Sequence, residues 1–130
     1  MEYQESIVSF NFAKLEYARK NYGKAMLYLQ NAEYKDLVNN LVGKTILMKI
    51  YFEMEEYDAL ISHLDSFQIF IRRREVSDFH RSNFMNIIRW VKRLVALPSL
   101  DKKMRSQLKE EILAEKNLTE REWLLEKIAK

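Results

Sequence analysis

Two stretches of this chain, thirty-five residues apart, share a spacing of apolar positions. The first reads Phe12-Ala13, then Tyr22, Ala25, Leu29 and Ala32. The second reads Leu47-Met48 and Tyr51, then Tyr57, Leu60 and Leu64. A pattern returning at a period of ~20–50 residues marks units that cannot bury their apolar faces alone and stack on their neighbours. Composition fixes the kind of unit. The 130 residues include only 2 Gly and 1 Pro. Sheets and long loops need these residues at turns, whereas helices need them only at their ends. The chain therefore reads as all-α, built from long helices with short connections. Charged residues make up 32% and apolar ones 48%, a balance that suits amphipathic helices with solvated outer faces.

Apolar periodicity places about seven helices. The first covers residues 4–19, with Ile7, Phe10, Ala13, Leu15, Tyr17 and Ala18 at helical spacing and no N-cap before them. Asn21-Tyr22-Gly23 suits a tight turn, and a second helix runs over 22–31. Small residues at Ala13 and Ala25 would let the two helices approach closely. A third helix spans 36–54, with Asp36 favouring its positive end and Gly43 marking close packing. A fourth spans 57–74 and ends on Arg72-Arg73-Arg74. Ser77 is the N-cap expected for a fifth over 78–97, which Pro98 stops. A sixth covers 100–116. Thr119-x-x-Glu122 reads as a capping box opening a last, Trp123-containing helix over 119–130. These form one domain of three hairpins, at 4–32, 36–74 and 78–116, closed by a capping helix at 119–130.

The pairing of helices, the period and the Tyr that opens each second helix resemble tetratricopeptide repeats. In that pattern the small residue of the first helix matches Ala13, and the aromatic opening the second helix matches Tyr22 and Tyr57. Ala25, Leu29 and Ala32 match the small, bulky and closing positions. Met48 and Leu60 stand where the second unit should have small residues, and the Pro that closes a unit is missing from both. The whole is also similar to divergent repeat proteins of uncharacterised bacterial families, in which such hairpins end in a Trp-containing helix. The resemblance implies antiparallel hairpins stacked as a right-handed superhelix, acting as an interaction scaffold. A peptide or protein partner would lie on a concave surface lined by the first helix of each hairpin. The positions so implied are Ile7, Phe10, Lys14 and Tyr17 on the first helix and Thr45, Lys49 and Phe52 on the third, with Asn83 and Ile87 on the fifth. One specialised version grips a C-terminal carboxylate with Lys and Asn. The matching positions hold Phe10, Lys14 and Ile46, so only Lys14 has suitable chemistry and that version is not expected.

Other clusters read as ordinary surface. His63 and His80 lie on different helices, with no carboxylate or second imidazole at ligand spacing, so no metal site is expected. Glu53, Glu55, Glu56 and Asp58 sit at a helix–helix turn, where carboxylates are solvated. The chain has no Cys, and no Gly-rich phosphate loop or nucleophile triad. No catalytic residue, cofactor or enzyme activity is expected. Most of the seven Tyr, all within residues 3–57, should pack between helices with a wet hydroxyl, the alternative being that some, such as Tyr3, Tyr34 or Tyr51, enter a binding groove.

The alternative site is electrostatic. Residues 72–93 hold seven Lys or Arg against Glu75 and Asp78, whereas residues 1–71 hold seven basic and ten acidic groups. Arg73, Arg81, Arg89 and Arg93 could meet phosphates or another anion. A solvated face is the plainer reading. No recognition-helix pattern supports DNA reading, so nucleic acid is not the expected partner. No uncharged run approaches the ~20 apolar residues of a membrane span. The chain is expected to be soluble, in the cytoplasm by default or as the soluble part of an exported or membrane-anchored bacterial protein. A homodimer or a longer array is left open. A well-kept unit beside an uncapped start suggests the C-terminal part of a longer array, with apolar side chains of the first helix exposed.

Overall fold

The computed structural model describes residues 2–30, 36–97 and 99–129, with side chains from Ser9 onward. Seven α-helices and no strand occur among the described residues. They are α1 (Glu2–Ala18), α2 (Tyr22–Leu29), α3 (Leu37–Glu53), α4 (Tyr57–Arg73), α5 (Asp78–Ala96), α6 (Lys102–Ala114) and α7 (Arg121–Ile128). The chain divides into two compact units, Met1–Phe67 and Gln68–Lys130, and the division falls inside α4.

In the first unit α1 and α2 form a hairpin, and α3 packs on both. Ala13 and Ala25 are fully buried, and Phe10, Leu29, Ile46, Leu47 and Ile50 complete the cluster around them. Two methyl side chains at a helix crossing leave room for a third helix to press into the seam. The turn after α1 does not use Gly23, as the sequence suggests. Lys20 takes the left-handed conformation, with φ 64°. The Lys20 N–H donates to the Tyr17 carbonyl at 2.9 Å, and the Asn21 N–H to that of Glu16 at 2.8 Å. This is a Schellman closure. Gly23 lies in the first turn of α2, with open space where a Cβ would stand.

The same closure ends α3. Glu55 has φ 58°, its N–H donates to the Phe52 carbonyl at 3.1 Å, and the Glu56 N–H donates to that of Tyr51 at 3.0 Å. In both hairpins the opening Tyr then starts the next helix. Asp36 is the N-cap of α3 rather than its first residue, and its carboxylate accepts from the Val38 N–H at 2.7 Å. Eight of the 17 residues of α3 are buried, with Leu41, Met48 and Ile50 fully covered. The buried Thr45 hydroxyl is satisfied within the helix by donating to the Leu41 carbonyl at 2.8 Å. On α1, Phe10 is 6% exposed, whereas Phe12 and Leu15 are 45% and 42% exposed. Phe12 stacks on Tyr28 of α2, with ring centres 5.6 Å apart. Ala32 and Tyr34, and the side chains of Tyr3 and Ile7, lie outside the described residues.

In the second unit Ser77 caps α5 by accepting from the His80 N–H at 3.3 Å. α6 begins at Lys102, because Asp101 caps it through the Met104 N–H at 2.7 Å. The core gathers Phe84, Ile87, Ile88, Trp90 and Val91 of α5, Leu108 and Ile112 of α6, and Trp123, Leu124 and Ile128 of α7. The expected capping box at Thr119 does not form. The Thr119 N–H reaches the Asn83 carbonyl on α5 at 3.5 Å, Glu120 takes φ 59°, and α7 starts at Arg121 without a side-chain cap. The Arg121 guanidinium instead bonds the Ile112 and Glu115 carbonyls at the end of α6. A cation there complements the negative end of that helix and folds α7 back along it.

Candidate partner-binding face

α1 and α3 present the face that the sequence singles out. On α1, Lys14 is exposed, and its ammonium stands 5.3 Å from the centre of the buried Phe10 ring. One turn later the half-buried Tyr17 meets α3. The Lys49 ammonium lies 4.8 Å from the Tyr17 ring centre, and Tyr22 packs on the same ring at 5.7 Å. Further along α3 the half-buried Phe52 takes the Tyr57 ring edge-on, with centres 6.2 Å apart and planes at 77°. Lys14, Tyr17, Lys49 and Phe52 thus supply two ammonium groups and two aromatic surfaces from two packed helices.

Three of the expected groove residues do not reach solvent. Phe10 belongs to the core, Thr45 is 3% exposed, and Ile87 of the second unit is fully covered. They shape the helices from beneath. Asn83 also belongs to the second unit. It is half-buried, and its amide donates to the Phe79 carbonyl at 2.7 Å. Tyr22 and Tyr57 were missed as face residues. Their signal was the thirty-five-residue spacing, which the sequence reading assigned to packing alone.

Behind this face, a polar cavity of about 150 Å³ lies among Gln30, Asn40, Lys44, His63 and Ser66. The His63 Nε2 sits 2.8 Å from the Lys44 carbonyl oxygen, so that nitrogen carries the proton and donates. Tyr51 and Phe67 flank the imidazole, with ring centres at 5.8 and 5.9 Å. Burial pulls the His63 pKa below its ordinary value, and the Lys44 charge adds to this. The hydrogen bond to the Lys44 carbonyl pulls the other way without winning. No group of three His, Cys, Asp or Glu able to hold a metal occurs among the described residues.

The four arginines of the alternative site have different surroundings. Arg93 forms a fork with Glu111 of α6, at 3.3 and 3.0 Å, and Arg89 bonds Glu115. Both guanidinium groups also lie near the Trp90 ring, Arg93 at 4.8 Å and Arg89 at 5.8 Å from its centre. Arg81 reaches the Val76 carbonyl at 3.5 Å. Arg73 is exposed in the last turn of α4. Two of the four charges are therefore already met by carboxylates of α6 and its C-cap.

The described residues form an all-helical structure of seven helices. Comparison with models of protein families, with curated proteins and with solved structures finds no match. Among the described residues, no helix is long and apolar enough to cross a membrane.

Proposed function

We propose that this chain is a non-enzymatic interaction module of tetratricopeptide-like hairpins, which binds a peptide or protein segment across α1 and α3. The observation that carries the reading is the meeting of Lys49 and Tyr17, 4.8 Å from ammonium to ring centre. Two positions chosen from separate hairpins by register are neighbours on one face. That face combines immobilised aromatic surface with cationic tips, a mixture that favours association at modest entropic cost. Its charge selects the partner: Lys14 and Lys49 suit a segment carrying carboxylates beside an apolar or aromatic anchor.

The arginine strip is the weaker reading. An anion bound at Arg89 and Arg93 would have to displace Glu115 and Glu111, which already hold them. The test is selection of peptides from a random library on the full chain, followed by amide chemical-shift mapping of the winners. The proposal expects acidic, aromatic-containing ligands that perturb residues 10–18 and 45–53. It also expects loss of binding in the Lys14→Glu, Lys49→Glu double variant. Ligands that map elsewhere, or that bind this variant unchanged, would sink it.

A further inference from the structure

A second site lies in the other unit, in the groove between α6 and α7. It is a cleft of about 540 Å³ with Leu125, Ile128 and Ala129 on its α7 side. Its charges are sorted by wall: Arg105 and Lys109 on α6, and Glu122 and Glu126 on α7. No ion pair joins Lys109 to either glutamate among the described residues. The two helices run antiparallel, since Arg121 at the start of α7 bonds carbonyls at the end of α6.

Each wall repeats its charge at a spacing of four residues, about 6 Å along a helix axis. A third helix lying in the groove offers its own side chains at that repeat. Its apolar stripe would cover the Leu125 floor, and its flanks would meet the two walls separately. A compact ligand could meet Lys109 and one glutamate and leave the second glutamate of the α7 wall in water. The geometry points to a docking site for an amphipathic helix. Its apolar stripe is bordered by carboxylates on the α6 side and by Lys or Arg on the α7 side. Opposite charges on the two walls also fix the direction in which that helix lies, because reversing it would set like charges together. This site is independent of the α1–α3 face.

Three synthetic peptides test it against the full chain. Each is about 18 residues long, enough to hold a helix, with one leucine stripe. One has Glu on one flank and Lys on the other, one has Glu on both, and one has Lys on both. Affinities are measured by fluorescence anisotropy at low salt, and contacts by amide shifts. The mixed peptide should bind tightest, by on the order of tenfold for several rim pairs acting together, with shifts in residues 105–109 and 122–129. Lys109→Glu, an exposed substitution that should leave the fold intact by circular dichroism, should move the preference to the Lys-flanked peptide. Equal binding of the three peptides would overturn the proposal, as would an unchanged order in Lys109→Glu. Displacement of the mixed peptide by octanoate, without discrimination among the peptides, would assign the cleft to small amphiphiles. A self-association lost in Leu125→Asp would assign it to a second copy. Either result overturns the helix proposal.

Discussion

The ammonium of Lys49 on α3 lies 4.8 Å from the centre of the Tyr17 ring on α1. The contact joins two helices of the first unit at its surface, so it contributes to stability and to the proposed face at once. The two roles separate by magnitude. A partly exposed cation–π pair is worth about 0.5–1 kcal/mol. Lys49→Gln should therefore lower the unfolding free energy in urea by about that amount, and leave the helical circular dichroism unchanged. Loss of more than about 2 kcal/mol would mean that Lys49 is a structural residue before it is a recognition residue.

Ala13 and Ala25 set how closely α1 and α2 approach, and both are fully buried. Ala25→Leu adds three carbons beside Phe10 and Leu29, where the core cluster leaves little slack. Overpacking of this kind typically costs about 1–3 kcal/mol. The expected outcome is a lower thermal midpoint, with Ala25→Ser much closer to the parent. A Leu variant as stable as the parent would show that the crossing is loose.

Lys20 and Glu55 hold left-handed backbone at φ 64° and 58°. A side chain in that region costs about 1–2 kcal/mol, and glycine offsets part of the gain by its freer unfolded state. Lys20→Gly and Glu55→Gly should each raise stability by about 0.5–1 kcal/mol. Chemical denaturation checks this directly. Destabilisation by either would mean that the side chain makes a compensating contact.

His63 gives the first unit a pH dependence. Its pKa in the fold lies below the ordinary value because burial disfavours the imidazolium. The unfolded chain, with a pKa of about 6.5, takes up the proton first as pH falls. The stabilising contribution is therefore complete above pH ~6.5 and is lost as the pH drops below that towards the folded pKa. Between pH ~7 and ~5 the parent should lose stability more steeply than His63→Gln. Matching slopes for parent and variant would show that the imidazole titrates freely in the fold.

Much of the fold is legible in the sequence because the signal is local. Apolar spacing finds all seven helices, and the Tyr repeat finds the starts of α2 and α4 at the right residue. Ser77 reads correctly as a cap because a cap is a bond between near neighbours. Thr119 carries the same kind of signal and fails. Its N–H faces the Asn83 carbonyl, thirty-six residues earlier, Glu120 is left-handed, and α7 starts two residues later than the local signal implies. The helix-closing turns are misread as well. Left-handed geometry is assigned to glycine by rule, but here Lys20 and Glu55 adopt it, and the hydrogen bonds it allows close α1 and α3.

The candidate face is legible only in part. Register places Lys14, Tyr17, Lys49 and Phe52 on first helices, since a 3.6-residue period fixes which side chains share a side. Depth is another matter. Phe10 and Thr45 occupy the same register but are buried, because depth depends on how far the neighbouring helix leans over each position.

The sequence by itself determines an all-helical chain, with hairpin spacing, two opening tyrosines and a basic segment at 72–93. These follow from periodicity and composition, which act within a few turns of helix. The tertiary structure alone decides that Lys49 meets Tyr17 and that Glu111 and Glu115 take up Arg93 and Arg89. It alone sorts the charges of α6 and α7 onto opposite walls of a cleft. Each of these joins residues far apart in the chain, and only the packing of whole helices, driven by burial of their apolar sides, fixes which distant side chains come within a few ångströms.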